Sequence, residues 1–114
     1  MPNPDDIIRL RHMLDYSREA QELIRDKSRA CLDIERPLEL ALVRLLEIIG
    51  EAANRVSKSE QSCQTSIPWS KIVGLRNRLI HGYDSVDLNV LWEILTHDLP
   101  FLISELEKII PPTS

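Results

Sequence analysis

The sequence predicts an all-α protein, a four- to five-helix up-and-down bundle, and three observations indicate it. Leucine and isoleucine dominate the apolar residues, with 17 Leu and 13 Ile against 5 Val and few aromatics, a composition that favours helices over sheets. Apolar residues recur every three or four positions along most of the chain. The connections between these stretches are short. We expect one domain, residues 1–114, large enough to bury a core without disulfides or metals.

The first half of the chain predicts two long helices. The first runs from about Asp5 to Lys27, and residues 31–36 form a short link. Pro37 then fits the first turn of a central helix that continues to Val56. Apolar residues lie on two sides of this helix, so we expect two neighbours.

On the central helix, Gly50 is expected to let another backbone come close. Its polar strip is interpreted as a solvated face stabilised by pairs such as Glu51 with Arg55. Glu51 is also considered as a partner of Arg76 or Arg78, but it is assigned no role.

The second half predicts a loop over residues 57–67, a third helix from Trp69 to Ile80 or His81, and a fourth helix that continues to Ile109. Gly82 is expected to end the third helix. Proline lacks the donor that a continuous helix needs, so Pro100 should kink or split the fourth. The candidate caps of the fourth helix and of its restart are Asp84, Ser85 and Asp87, and then Asp98.

Charge and composition exclude several classes of protein. With 14 basic and 18 acidic residues the net charge is −4, which argues against a protein that coats nucleic acid non-specifically. Cys31 and Cys63 lack the spacing of a disulfide scaffold or a zinc site, and we interpret them as buried or idle thiols. No targeting segment or membrane span is evident, so a soluble cytoplasmic protein without a membrane partner is expected.

Residues 70–83, SKIVGLRNRLIHGY, form a basic segment in this acidic chain, with Lys71, Arg76, Arg78 and His81 and no acid. On a helix, Asn77 and His81 are i, i+4 neighbours, and Arg76 flanks them. The arginine fork matches phosphate oxygens, and a histidine can transfer a proton near neutral pH. The alternative is structural, with His81 meeting the carbonyls at a helix end. Trp69 and Trp92 are interpreted as packing anchors, and His12 and His97 as surface residues.

The run Arg76-Asn77-Arg78-Leu79-Ile80-His81-Gly82-Tyr83 resembles the signature of HepT toxins, minimal HEPN-superfamily ribonucleases of toxin–antitoxin modules. Residues 45–53 resemble the central-helix string of that family, and residues 67–69 resemble its entry to the motif helix. Residues 86–88, Trp92 and residues 99–100 resemble its last helices. The resemblance therefore covers about residues 5–110.

The resemblance implies a HEPN-like homodimer in which two motif helices build one composite cleft that cuts RNA without a metal or cofactor. By it, His81 moves the proton, Arg76 stabilises charge on the phosphoryl group, and Asn77 holds the substrate or the histidine. Lys71 and Arg78 are candidates for further RNA-phosphate contacts. No DNA substrate is expected.

The resemblance also implies a partner, an MNT-type nucleotidyltransferase antitoxin that modifies Tyr83 with AMP. The added negative charge would repel RNA from the cleft. From the residues alone, Tyr83 is as well explained by packing at the rim of the core. A second hypothesis for the whole chain is a non-catalytic helical dimer that binds the nucleotidyltransferase.

Overall fold

The computed structural model describes residues 2–111, so the predicted domain of residues 1–114 is described except for its first residue and its last three. Three long helical stretches form its body. They are α1, Pro4–Ile24, α3, Arg36–Arg55, and a final stretch of α7, Leu88–Glu93, a π-helical segment, Ile94–Asp98, and α8, Leu99–Ile109. Helix α1 packs along α3 and against α8. The all-α prediction is confirmed.

Four short helices and one small hairpin connect these stretches. The helices are α2, Cys31–Ile34, α4, Lys58–Cys63, α5, Trp69–Val73, and α6, Leu75–Leu79. The hairpin pairs β1, Ile80–His81, with β2, Ser85–Val86, in antiparallel register. Within residues 2–111, no helix is both long and apolar enough to cross a membrane.

The core lies where α1, α3 and the final helical stretch meet, and leucine supplies most of it. Leu10, Leu42, Leu46, Leu99 and Leu106 are fully buried. Trp69 and Trp92 are half-buried against this core, and the Trp69 indole donates to the carbonyl of Gln64 at 3.0 Å. Their interpretation as packing anchors is confirmed.

A buried carboxylate joins the start of α1 to the start of α4. Asp6 is 3% exposed, and its two oxygens accept from the Ser57 amide at 2.8 Å and the Ser57 hydroxyl at 2.6 Å. The same hydroxyl accepts from the Glu60 amide at 3.2 Å and caps α4. The prediction of a loop over residues 57–67 was therefore wrong in part. Ser57 followed three residues later by Glu60 is a capping-box pattern, which predicts that a helix begins here.

The central helix has the predicted bounds, although the link before it contains the single turn α2. Gly50 faces α5 as expected, because a Cβ at this position would lie 3.0 Å from the carbonyl oxygen of Ile72. The α5 backbone therefore lies directly on α3, where any side chain at residue 50 would hold it away.

The predicted third helix is shorter than expected and interrupted. Gly74 separates α5 from α6, and Ile80 is already extended, with φ −101° and ψ 122°. The Asp87 amide donates to the Leu79 carbonyl at 2.8 Å, and Gly82 turns the hairpin with φ +79°. His81 therefore lies on a strand, and the prediction that it is the i, i+4 helical neighbour of Asn77 was wrong.

The fourth helix begins and divides nearly as predicted. Asp87 caps α7 by accepting from the amides of Asn89 at 3.0 Å and Val90 at 3.1 Å. Before Pro100 the helix widens, and the Leu99 amide donates to the carbonyl of Ile94, five residues back. Asp98 does not cap the restart. Its carboxylate accepts from Arg78 at 2.6 Å instead.

Candidate active site

A groove of about 480 Å³ lies between α3 and the α5–α6 segment. Val73, Arg76 and Asn77 reach it from the basic segment, and Arg44 and Glu47 line its α3 wall. Gly50, Glu51 and Asn54 complete that wall. Two of the three predicted catalytic residues, Arg76 and Asn77, therefore share one concave surface, which we call the motif groove.

Arg76 is held in this groove by an acidic residue from α3. Its Nε donates to Glu47 Oε2 at 3.1 Å, and its side chain is 62% exposed. Within residues 2–111 its two terminal nitrogens make no hydrogen bond. The guanidinium edge that they form is thus free to donate hydrogen bonds to two phosphate oxygens.

Glu47 was missed as the partner of Arg76. Sequence reasoning considered Glu51 instead, and Glu51 pairs with Arg55 at 3.4 Å, as predicted for the polar strip. The interpretation of that strip as a solvated face is confirmed, since Arg44, Asn54 and Arg55 are exposed, and part of the strip also lines the motif groove.

His81 lies outside the lining of the motif groove. It stands on β1 with its side chain 64% exposed, and its Nε2 is 3.7 Å from Asp87 Oδ2. In a single chain, Arg76 and Asn77 therefore line the motif groove, and the imidazole of His81 lies outside it. Exposure leaves the imidazole accessible to a substrate or to a second protein surface.

Asp87 connects the cap of α7 to this imidazole. Its Oδ1 accepts from the amides of α7, and its Oδ2 faces His81. The hydrogen bond from the Val90 amide, followed by that from Asn89 and the charge of His81, holds the pKa of Asp87 below its usual value. This carboxylate is consequently ionised at neutral pH. The sequence predicted its cap, but its approach to His81 depends on the hairpin.

Tyr83 lies at the tip of the hairpin, between β1 and β2, and is 98% exposed. The alternative that it packs at the rim of the core is wrong, because the helix ends before this residue and the side chain is exposed to solvent. Its hydroxyl can be reached by another enzyme.

The two candidates for additional phosphate contacts have different surroundings. Arg78 is 29% exposed and forms an ion pair with Asp98, so it joins α6 to the π-helical segment. Lys71 is exposed and lines a separate groove with Pro68, His97 and Phe101. Neither residue lines the motif groove.

The other histidines lie apart from this site. His12 and His97 are exposed, as predicted for surface residues, and the His12 ring lies 6.0 Å from that of Tyr16. They therefore provide internal comparisons for His81.

Comparison with known families decides the class of this site. The family described as Ribonuclease HepT-like matches residues 13–109. This chain belongs to the HepT-like ribonuclease family. The family assignment confirms both the resemblance and the expectation of a ribonuclease.

Three HepT-like relatives extend the match over most of the chain. A protein of Thermococcus cleftensis described as "Probable ribonuclease HepT" is 36% identical over 95 residues, 80% of this chain and 86% of its own. Two proteins of Methanocaldococcus jannaschii described as "Putative RNase" are 34% and 33% identical, covering 93% and 96% of this chain and 80% and 88% of their own. No solved structure matches the chain.

Proposed function

We propose that this HepT-like chain is the toxin of a toxin–antitoxin module, an endoribonuclease that cuts RNA without a metal at a cleft shared by two copies. One observation carries the proposal. The free edge of Arg76 and the amide of Asn77 line the motif groove, whereas His81 stands outside it on the hairpin. A second copy facing the first can supply the imidazole that the groove of a single chain lacks.

The reaction needs one attack and two proton transfers. The 2′-hydroxyl oxygen attacks the adjacent phosphorus, the bond from phosphorus to the 5′ oxygen breaks, and a cyclic phosphate and a 5′-hydroxyl result. His81 accepts the 2′ proton and returns it to the leaving 5′ oxygen, so that both proton transfers pass through the imidazole. Arg76 stabilises the charge that develops on the phosphoryl oxygens, and Asn77 positions the substrate.

Asp87 orients the imidazole in this mechanism. Its Oδ2 faces Nε2 of His81 at 3.7 Å, so a proton on Nε2 is favoured and Nδ1 is left with a free lone pair. Asp87 touches neither substrate nor reacting atom, and its role is that of a positioning residue.

Cleavage of RNA in EDTA by purified protein tests this function. His81→Ala and Arg76→Ala should each lower the cleavage rate by about 10²- to 10⁴-fold. His97→Ala is the matched control, since it removes an exposed histidine that does not line the motif groove, and it should cut normally. Equal cleavage by His81→Ala and the wild type would refute the catalytic assignment and favour the non-catalytic dimer module.

Neutralisation by an MNT-type nucleotidyltransferase is the second part of the proposal. The 98% exposure of Tyr83 supports it, because a transferase must reach the hydroxyl. Each AMP adds a negative phosphate to the hairpin that carries His81, and this charge repels RNA.

Co-expression with the nucleotidyltransferase encoded beside the chain, followed by intact mass spectrometry, tests the modification. AMP-sized increments should appear on the wild type and on the control Tyr16→Phe but not on Tyr83→Phe. Increments that persist on Tyr83→Phe would place the modification elsewhere.

A further inference from the structure

A second groove lies on the other side of α3, against α1. Its volume is about 310 Å³, and its lining includes Arg9 and His12 from α1 and Arg44, Glu51 and Arg55 from α3. We call it the α1–α3 groove.

The charge of the α1–α3 groove is unusual for this chain. Nine of the 14 Lys and Arg form ion pairs within residues 2–111. Five have no acidic partner within that range, namely Arg9, Arg11, Arg44, Lys58 and Lys71. Arg9 and Arg44 line the same groove, whose acid Glu51 already pairs with Arg55. Two arginine side chains that lack an acidic partner within residues 2–111 therefore line the same groove, in a protein whose net charge is −4.

The α1–α3 groove continues into the motif groove. Arg44 and Glu51 line both, so they form the ridge between the two. At 100° per residue, Arg44, Ile48, Glu51 and Arg55 fall within about 60° of one another, and the first and last are about 16 Å apart along the axis. A polar strand leaving the motif groove over Arg44 thus reaches a second concave surface, whose lining carries three arginines and one glutamate.

We propose that the α1–α3 groove binds phosphates of the RNA strand next to the bond that is cut, through Arg9 and Arg44. The proposal rests on the function proposed above for the motif groove. Unpaired guanidinium groups in a groove match the backbone of a single strand, which a protein follows by charge. The acidic remainder of the surface repels RNA, so the α1–α3 groove confines the strand to one path across α3.

Binding of a single-stranded 20-nucleotide RNA tests the proposal, with a 2′-O-methyl version that lacks the attacking hydroxyl and stays intact. The test variant is Arg9→Gln with Arg44→Gln. The matched control is Arg11→Gln with Lys58→Gln, which removes two charges that also lack an acidic partner within residues 2–111 and that lie outside the α1–α3 groove. We expect the test variant to bind about tenfold more weakly and to lower the slope of log Kd against log salt by about 1.4, while the control matches the wild type.

Two further measurements separate charge from folding and assembly. Arg9→Lys with Arg44→Lys keeps the charge and should bind nearly as the wild type does. Sedimentation should show one association state for all variants. Equal weakening in the test and control variants, equal weakening in the Lys and Gln variants, or weakening that accompanies a change of association state would each overturn the proposal.

Cleavage of substrates of two lengths then separates this proposal from the function of the motif groove. The single variant Arg9→Gln changes a residue that lines the α1–α3 groove but not the motif groove. It should cut the unmodified 20-nucleotide RNA with a KM about threefold higher, and it should cut a trinucleotide, too short to reach the α1–α3 groove, normally. If the rate on the trinucleotide fell as much as the rate on the long RNA, the proposal that the α1–α3 groove binds RNA would be overturned. If His81→Ala cut both substrates normally, the proposed catalysis would fail, and the binding comparison would still decide the groove.

Discussion

The two carboxylate oxygens of Asp87 have different partners, and this separates its structural contribution from its chemical one. Oδ1 accepts from two amides at the start of α7, and Oδ2 faces the imidazole of His81. An asparagine at this position can keep the first arrangement, because asparagine is as good a cap as aspartate. It cannot keep the second, because its amide nitrogen is a donor without negative charge.

We therefore expect Asp87→Asn to lower kcat by about tenfold or more with little change in KM. The amide nitrogen would donate to Nε2 and move the imidazole proton to Nδ1, which removes the free lone pair. The ¹⁵N spectrum of the imidazoles reports this shift of tautomer, and only three histidines need to be assigned.

Asp84→Asn is the control for Asp87→Asn, since it removes a carboxylate from the same hairpin without a contact to His81. If kcat and the His81 signals were unchanged in Asp87→Asn, the carboxylate would serve only as a cap.

At the scale of the elements, the motif groove depends on a close contact between two backbones. The carbonyl oxygens of Ile72 and Val73 would lie 3.0 and 3.4 Å from a Cβ at residue 50. Those carbonyls belong to the end of α5, and Val73, Arg76 and Asn77 follow directly from it. Any side chain at this position must push α5 away from α3 and widen the groove.

Gly50→Ala should accordingly lower the free energy of unfolding by about 1–3 kcal/mol, the usual cost of overpacking. In an unobstructed helix the same change gains about 1 kcal/mol, so the sign of the effect identifies the contact. Urea unfolding measures it, with Asn54→Ala on the exposed part of the same helix as the control. A Gly50→Ala protein about 1 kcal/mol more stable than the wild type would show that α5 gives way without cost.

Elements governed by local sequence were largely predictable. The bounds of α1 and α3, the Asp87 cap and the division at Pro100 follow from periodicity and from residues that supply or lack backbone hydrogen bonds. Helix α4 was predictable in principle, from Ser57 and Glu60. The end of α6 was not, because periodicity continues through Ile80 while β1 leaves the helix to pair with β2, which lies beyond the turn.

The candidate site also contains residues that local sequence could place together and residues that only the folded chain brings together. Arg76 and Asn77 were placed on one surface from their adjacency in a single helix. Glu47 and Asp87 were missed as partners of Arg76 and His81, because they lie 29 and six residues away in the chain and approach only after α3 and the hairpin have packed.

At the scale of the whole molecule, the separation of Arg76 from His81 makes a prediction about pairs of chains. In a symmetric dimer whose sites take the arginine from one copy and the histidine from the other, a pair formed by Arg76→Ala and His81→Ala contains one intact site. Random mixing of these two inactive proteins should therefore restore about a quarter of the wild-type cleavage rate.

Unfolding and refolding the mixture permits the exchange of chains, and a tag on each variant permits isolation of the mixed dimer. The control is a mixture of His81→Ala with His81→Ala,Arg76→Ala, which contains no intact site and should stay inactive. If mixing the two single variants restored nothing, each site would draw both groups from one chain.

The π-helical segment at Ile94–Asp98 sets how helix α7 is rotated about the helix axis relative to helix α8. Helix α8, on one side of the segment, packs on α1, and helix α7, on the other side, packs on α6. A π turn holds one residue more than the α-helical path, which is worth about 100° of rotation. If the same residues followed a regular α-helix without this wide turn, the α7 end, including the cap Asp87, would be rotated by that angle relative to α8. The carboxylate would then no longer face His81, so the wide turn fixes the orientation of the Asp87 cap relative to the core and to the hairpin that carries His81.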